Sequence, residues 1–260
     1  MNRIQAFEIH DLPRCPSFIR ESVTESLGNA LRWGDIYSAG VADLFHEFCK
    51  KSGSNSILDV CSGSGEPISI LLESMEQQKL KKPTITLSDL YPNINRMESV
   101  ASRQPDHINI HYDPLDATNV PVQIEHSART IISAFHHFTP ALASSILNDC
   151  VRNKKAIFIL EPMSGKLTQS ISIGSMLIAA TMANPLLTKQ NRLKKAFCTY
   201  TNMIIPMVNT WDSIISLLRT YNEETLHKLV EPFGDEYHWK FHEIPIKWAG
   251  AITVFTGWPS

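Results

Sequence analysis

Eleven residues constrain this chain more than any others: Ile57-Leu58-Asp59-Val60-Cys61-Ser62-Gly63-Ser64-Gly65-Glu66-Pro67. The apolar start reads as a buried strand, and Gly63 and Gly65 read as a tight turn. Pro67 then falls at an early helical position, where its missing N–H costs nothing and its φ is already helical. Twenty-four residues beyond Gly65, a second apolar run, Ile85-Thr86-Leu87-Ser88, ends in Asp89. Strand, glycine turn, helix, strand and acid form the opening unit of a parallel α/β sheet. That unit is how such a sheet holds an adenosine-bearing cofactor at its carboxyl edge.

The alternation continues along the chain. Strands are expected at 56–60, 84–88, 107–112, 129–134 and 155–160, with helices at 66–78, 92–103 and 139–152 between them. Two further strand-like runs, Tyr237 to Ile246 and Ala251 to Phe255, are joined by Lys247-Trp248-Ala249-Gly250. So short a connection predicts an antiparallel pair. The fold class is therefore α/β, a doubly wound, mainly parallel seven-stranded sheet of Rossmann-like type with a C-terminal antiparallel pair.

Outside the sheet the periodicity is helical. Residues 1–53 read as an N-terminal helical cap, with apolar residues at helical spacing over 16–31 and 36–50. Residues 54–162 form the cofactor-binding core, and 163–208 a helical insertion or lid. Residues 209–260 supply two helices and the strand pair that complete the core. Asn209-Thr210-Trp211-Asp212 reads as the start of a helix running to Arg219 and packed on the sheet. Asn222-Glu223-Glu224-Thr225 reads as the cap of the next helix.

Charge narrows the function. Among 260 residues, 24 Lys and Arg face 26 acids, a formal net charge of -2. A dedicated nucleic-acid binder is normally strongly basic. The two short basic clusters, Lys79 to Lys82 and Lys189 to Lys195, read as solvated faces. Five scattered cysteines without CxxC spacing suggest neither a disulfide framework nor a metal site. With no apolar leader at the N-terminus, a cytoplasmic setting is expected. The uncharged stretch Leu167 to Thr188 is broken by Gln169, Asn184, Pro185 and several hydroxyls. It is expected to be a buried or lid helix; peripheral membrane contact and a homodimer surface are its other readings, and a spanning helix is not expected.

The turn itself selects among cofactors. A P-loop needs a Lys that Gly63-Ser64-Gly65-Glu66-Pro67 lacks, and the third glycine of a nicotinamide fingerprint would fall on Ile68. What remains resembles the class I S-adenosylmethionine-dependent methyltransferases. Their first motif, acid-x-Gly-x-Gly-x-Gly, appears as Asp59-Val60-Cys61-Ser62-Gly63-Ser64-Gly65, with Cys61 in place of the first glycine. Their acid after strand two matches Asp89, and their Asp plus small residue after strand three matches Asp116-Ala117. The resemblance covers about residues 54 to 162, and implies S-adenosylmethionine as cofactor and methyl transfer as activity. It assigns cofactor binding to Asp59, Cys61, Ser62, Gly63, Gly65, Asp89, Leu90, Asp116, Ala117 and Ser133. Gly63 and Gly65 would let backbone N–H groups approach the methionine carboxylate, Asp89 would accept the ribose hydroxyls, and Asp116 the adenine amino group, with Leu90 and Ala117 covering the ring.

Methyl transfer from a sulfonium needs alignment, and a base where the nucleophile carries a proton. Candidates at the carboxyl ends of strands four and five are His136, His137 and Glu161. The plainer reading makes the His-His pair a helix cap and Glu161 a strand stop. Acceptor contacts are expected from Trp33, Tyr37, Met176 and Tyr200, apolar and aromatic residues that suit a small, partly apolar metabolite. Two rival readings are a non-catalytic cofactor-binding protein of the same fold and a protein or RNA methyltransferase.

Overall fold

A computed structural model describes residues 3–37, 40–163, 167–246 and 250–260. The sheet strands are β1 (Ser56–Val60), β2 (Thr84–Ser88), β3 (Ile108–Ile110), β4 (Ala128–Ile132), β5 (Ala156–Glu161), β6 (Tyr237–Ile246) and β7 (Gly250–Pro259). Nine helices accompany them among the described residues. These are α1 (Ser17–Trp33), α2 (Val41–Lys51), α3 (Glu66–Gln77), α4 (Ile94–Ala101), α5 (Pro140–Arg152), α6 (Leu167–Leu187), α7 (Arg192–Tyr200), α8 (Ile204–Arg219) and α9 (Glu223–Val230).

The strands form one seven-stranded sheet in the order β3-β2-β1-β4-β5-β7-β6. The first five are parallel. The last pair enters antiparallel, β7 lying against β5. The expected doubly wound architecture is therefore present; the connection 247–249 lies outside the described residues. Continuous apolar runs such as Ile57-Leu58 and Ile157-Phe158-Ile159-Leu160 are buried, as strands covered on both faces require. Between β1 and β4 the winding reverses, so the loops after these two strands diverge and leave a crevice at their carboxyl ends.

The chain divides into two compact units. One comprises Tyr37–Pro162, Tyr221–Ile244 and Ile252–Ser260, with most of the sheet and helices α2 to α5 and α9. The other comprises Met1–Ile36, Met163–Thr220 and Pro245–Ala251, and is built around α1, α6, α7 and α8. Residues 1–53 thus contribute α1 to one unit and α2 to the other.

In the helical unit, α6 packs against α1, α7 and α8. No helix among the described residues is long and apolar enough to cross a membrane. Two expectations are corrected here. One member of the 189–195 cluster departs from the expected solvated face: Lys189, Arg192 and Lys194 are exposed, whereas Lys195 is 0 % exposed, and its ammonium donates to both oxygens of Glu25 at 3.0 and 2.9 Å and to Thr188 at 3.1 Å. A buried cation demands such partners. Likewise the helix ending at Arg219 starts at Ile204, not at Asn209 to Asp212, and its principal helical partners are α6, α7 and α1 rather than strands. Asn209 and Asp212 are interior to it. Asn209 donates to Thr181 Oγ1 at 2.7 Å, and Asp212 accepts from the backbone N–H groups of Ile9 and His10 at 2.6 and 3.2 Å.

A candidate cofactor and catalytic site at the switch point

After β1 the backbone turns through three left-handed residues, Cys61 (φ 62°), Gly63 (φ 55°) and Gly65 (φ 75°). Gly65 has a second reason to be glycine: a Cβ there would lie 2.6 Å from Leu87 of β2. Beside Gly63 nothing lies within 4 Å of a would-be Cβ, so the turn opens onto free space at that point. Hydroxyls knit the turn to β2. Ser62 donates to the Asp59 carbonyl at 2.9 Å and accepts from the Ser88 N–H at 3.0 Å, while Ser88 donates to the same carbonyl at 2.8 Å.

Three carboxylates converge here. Asp89 accepts the Gly63 N–H through Oδ2 at 2.8 Å and the Tyr91 N–H through Oδ1 at 2.9 Å. Its carboxylate is thereby aimed, with further lone pairs on each oxygen. Asp116 accepts from the Thr118 N–H and hydroxyl at 2.8 and 2.7 Å. Asp59 is buried beneath the turn and accepts the Thr130 hydroxyl at 2.6 Å. Burial pushes its carboxyl up to about 7, its hydrogen bonds to Ser62 and Thr130 oppose that rise, and the Asp89 charge adds to it. Burial raises the Cys61 thiol strongly, as do Asp89, Asp59 and Asp116 in turn. All three acids therefore act on one point.

The two glycine amides are used within the turn. Gly63 N–H serves Asp89, and Gly65 N–H donates to Ser62 O at 2.8 Å. Leu90 is exposed at this edge, whereas Ala117 is buried in the core.

At the end of β4, Ser133 is also left-handed (φ 58°). Tyr37 is 0 % exposed, and its hydroxyl faces that of Ser133. Neither hydroxyl makes a hydrogen bond within ordinary geometric limits, though both oxygens are buried. Burial first, then the Glu161 and Asp59 charges, raise the Tyr37 phenol, while its weak contact with Ser133 opposes the rise. Buried orphan hydroxyls carry a desolvation cost that a polar ligand removes.

Next comes a 3-10 turn, Phe135–His137, pinned by the Tyr221 hydroxyl donating to Phe138 O at 2.8 Å. Glu161, at the end of β5, accepts from His136 twice: from its backbone N–H at 3.0 Å and at Nδ1 at 2.8 Å. Both residues are buried, at 3 % and 5 % exposure. The His137 ring lies 4.3 Å from that of His136. Strands four and five thus bring together the histidine pair and the acid that the sequence singled out.

The remaining expected acceptor residues lie in the helical unit. Trp33 ends α1, and Met176 of α6 reaches Gly34 beside it. Tyr200 sits on α7, with its hydroxyl bonded to Met182 O at 2.6 Å. Three contributors escaped the sequence reading: Thr130, Ser88 and Tyr221. Thr130 had a usable signal, a polar residue in a buried strand, and the register sets it directly beside Asp59.

No protein-family model matches the chain, and no curated protein matches it in sequence. Solved structures do match. The plantazolicin methyltransferase BpumL in complex with SAH aligns with a TM-score of 0.51 at 10 % identity, over 94 % of this chain and 100 % of that one. A putative O-methyltransferase from Nostoc punctiforme PCC 73102 aligns at 0.51 and 12 % identity, over 98 % and 64 %. This is the class I methyltransferase fold. In that fold the switch-point crevice bounded by β1, β2 and β4 is where the acids and left-handed turns described above are found. At such identities the likeness extends to fold alone, so the chemistry must be argued from these residues.

Proposed function

We propose that this chain is an S-adenosylmethionine-dependent methyltransferase acting on a small, partly apolar metabolite in the cytoplasm. The observation that carries the reading is the convergence of Asp59, Asp89 and Asp116 on a left-handed turn at the switch point. Structural neighbours of this fold include one in complex with SAH, the product form of the same cofactor. The donor set fits such a ligand. Asp89, held by two backbone amides, takes the ribose hydroxyls, and Asp116 takes the adenine amino group beside Leu90. The buried Tyr37 and Ser133 hydroxyls offer donors for the methionine end. Three acids around one crevice favour a ligand that carries cationic charge. When bound, the cofactor supplies a methyl group on a sulfonium, with a neutral thioether as leaving group.

The chain's own residues then move one proton. Glu161 accepts Nδ1–H of His136, which fixes the tautomer with the lone pair on Nε2. Where the acceptor carries an O–H or N–H proton, His136 would take it at Nε2 as that group is methylated. Glu161 is thus a positioning residue, and the tilted His137 ring lies against that of His136. The near-neutral charge of the chain and its uncharged, Met-bearing 167–188 stretch favour a metabolite over nucleic acid.

The test begins with calorimetric titration of SAH into cofactor-free wild type and Asp89→Ala. Micromolar binding, weakened about 10- to 100-fold in the variant as loss of hydrogen bonds to a charged group dictates, supports the site. Labelled S-adenosylmethionine is then offered with a panel of phenols, hydroxy acids and amines. Failure of folded wild type to bind SAH overturns the proposal. Binding without transfer to any acceptor would make the chain a non-catalytic member of the fold.

A further inference from the structure

At the amino end of β4, the end opposite the crevice, a buried histidine is held beside two cations. His126 lies two residues before β4 and is 8 % exposed. Both of its ring nitrogens are committed. Nδ1 stands 2.6 Å from Ile124 O, and a carbonyl only accepts, so Nδ1 carries the proton. Nε2 therefore presents its lone pair, and it accepts from Nε of Arg129 at 3.0 Å. Together these two bonds require the neutral ring in one tautomer. Arg129, 1 % exposed, passes the contact on, its Nη1 donating to Asp149 Oδ2 at 2.6 Å. Asp149 sits in the last turn of α5, and its Oδ1 also accepts from Asn153 at 3.1 Å. Lys155, just before β5, donates to His126 O at 2.6 Å. The corner where α5, β4 and β5 meet is thus joined through one imidazole.

We propose that His126 is an acid-sensitive latch on this corner: its neutral ring holds Arg129 toward Asp149, and protonation breaks the hold. A proton on Nε2 would meet the Arg129 N–H head-on and add a third cation to Arg129 and Lys155 at a buried point. The one carboxylate that faces the ring, Asp149, is already committed to Arg129 and Asn153. Cys150 and Tyr237 pack on the same corner, where burial raises both the thiol and the phenol, so neither supplies a compensating negative charge. Arg129 is enclosed, and the ring is therefore the part that must leave. Burial first, and then the Arg129 and Lys155 charges, lower the His126 pKa from 6.5 to about 4, against the opposing bond to Ile124 O and the Asp149 charge. Between those values the folded ring binds fewer protons than the unfolded one. Its stabilising contribution is complete above about pH 6.5 and is lost as pH falls toward 4.

Hydrogen exchange of the full chain at pH 7.5 and pH 5, with wild type and His126→Gln, tests this. Glutamine keeps an acceptor oxygen for Arg129 and does not titrate. Asp59 titrates over the same range with the opposite sign, so the readout is the ratio of wild-type to variant protection, in which Asp59 cancels. After correction for intrinsic exchange, that ratio over residues 127–131 and 146–152 should fall about 30-fold from pH 7.5 to pH 5, as a shift from 6.5 to about 4 requires. A ratio that does not change with pH overturns the inference, for it would leave His126 a structural residue only. The wild-type ring supplies a second measurement should the variant misfold. Its imidazole resonances should stay those of the neutral ring down to pH 5, and a midpoint near 6.5 in the folded chain overturns the inference as well. Neither result depends on the cofactor or the acceptor.

Discussion

Cys61 occupies a backbone position that favours glycine, and its substitution measures the turn directly. At φ 62° an L-residue costs about 1–2 kcal/mol relative to the right-handed region. Replacing Cys61 by Gly removes that cost, and replacing it by Ala keeps it. Both variants lose the same thiol and its packing against the core beside β1. Against glycine stands the larger entropy of its unfolded chain, about 0.4–1 kcal/mol. Alanine also keeps a half-buried methyl worth a few tenths of a kcal/mol. The balance leaves Cys61→Gly more stable than Cys61→Ala by about 0.5–1 kcal/mol, the reverse of the usual order of these two residues. At roughly 2–4 °C per kcal/mol for a chain this size, the expected gap is about 1–4 °C. The assay is thermal unfolding by circular dichroism under reducing conditions, reading the transition that SAH shifts upward, because that transition reports the unit containing the turn. Alanine equal to or above glycine would refute a left-handed residue at position 61, and with it the geometry that aims Asp89.

Asp59→Asn should change stability in a pH-dependent way. The native carboxyl, raised to about 7, binds more protons than the unfolded one, so wild-type stability falls as pH rises from about 4 to about 7. The advantage of the variant should therefore grow across that window and level off above it; urea denaturation at pH 5, 6, 7 and 8 would show a constant difference if the reasoning is wrong. Lys195→Met should cost about 3–5 kcal/mol by stranding the buried Glu25, and adding Glu25→Leu should recover much of the loss; a near-neutral single variant would show Lys195 to be solvated. Glu161→Gln should lower kcat for methyl transfer more than tenfold while leaving SAH affinity within about two-fold, since a positioning role acts on His136 and not on the cofactor. Loss of SAH affinity in that variant would reassign Glu161 to the cofactor site.

The sheet and its crevice were legible because their signals are local. The run 57–67 contains strand, turn and helix start within eleven residues, and β2 with Asp89 follows one helix later. The helical unit was not legible in the same way. Lys195 finds its partner Glu25 170 positions away, and nothing in a Lys-Lys dipeptide announces burial. Asn209 to Asp212 read as a helix start because Asn, Thr and Asp cap helices by bonding to backbone. In the structure those capacities are spent sideways, Asn209 on Thr181 and Asp212 on the amides at 9 and 10. Composition alone cannot separate a polar residue that ends its own helix from one that ties down a neighbour. The left-handed backbone at Cys61 was hidden as well, since its cost is small enough for a folded chain to carry.

The same distinction between a residue type and the use made of it governs the crevice. Both glycine amides are used inside the turn, that of Gly63 on the Asp89 carboxylate and that of Gly65 on Ser62 O. Their left-handed backbone lies on the path that brings the Gly63 N–H to Asp89. The glycine turn and the acid after β2 are therefore one device, a carboxylate oriented by the turn and by Tyr91, rather than two separate contacts. It follows that Asp89→Ala removes more than a hydrogen-bond acceptor, for it strands two backbone donors as well. Asp89→Asn keeps an acceptor oxygen for one of them and removes the charge. The gap between the two variants in SAH affinity then separates how much of the site is charge from how much is the shape of the turn.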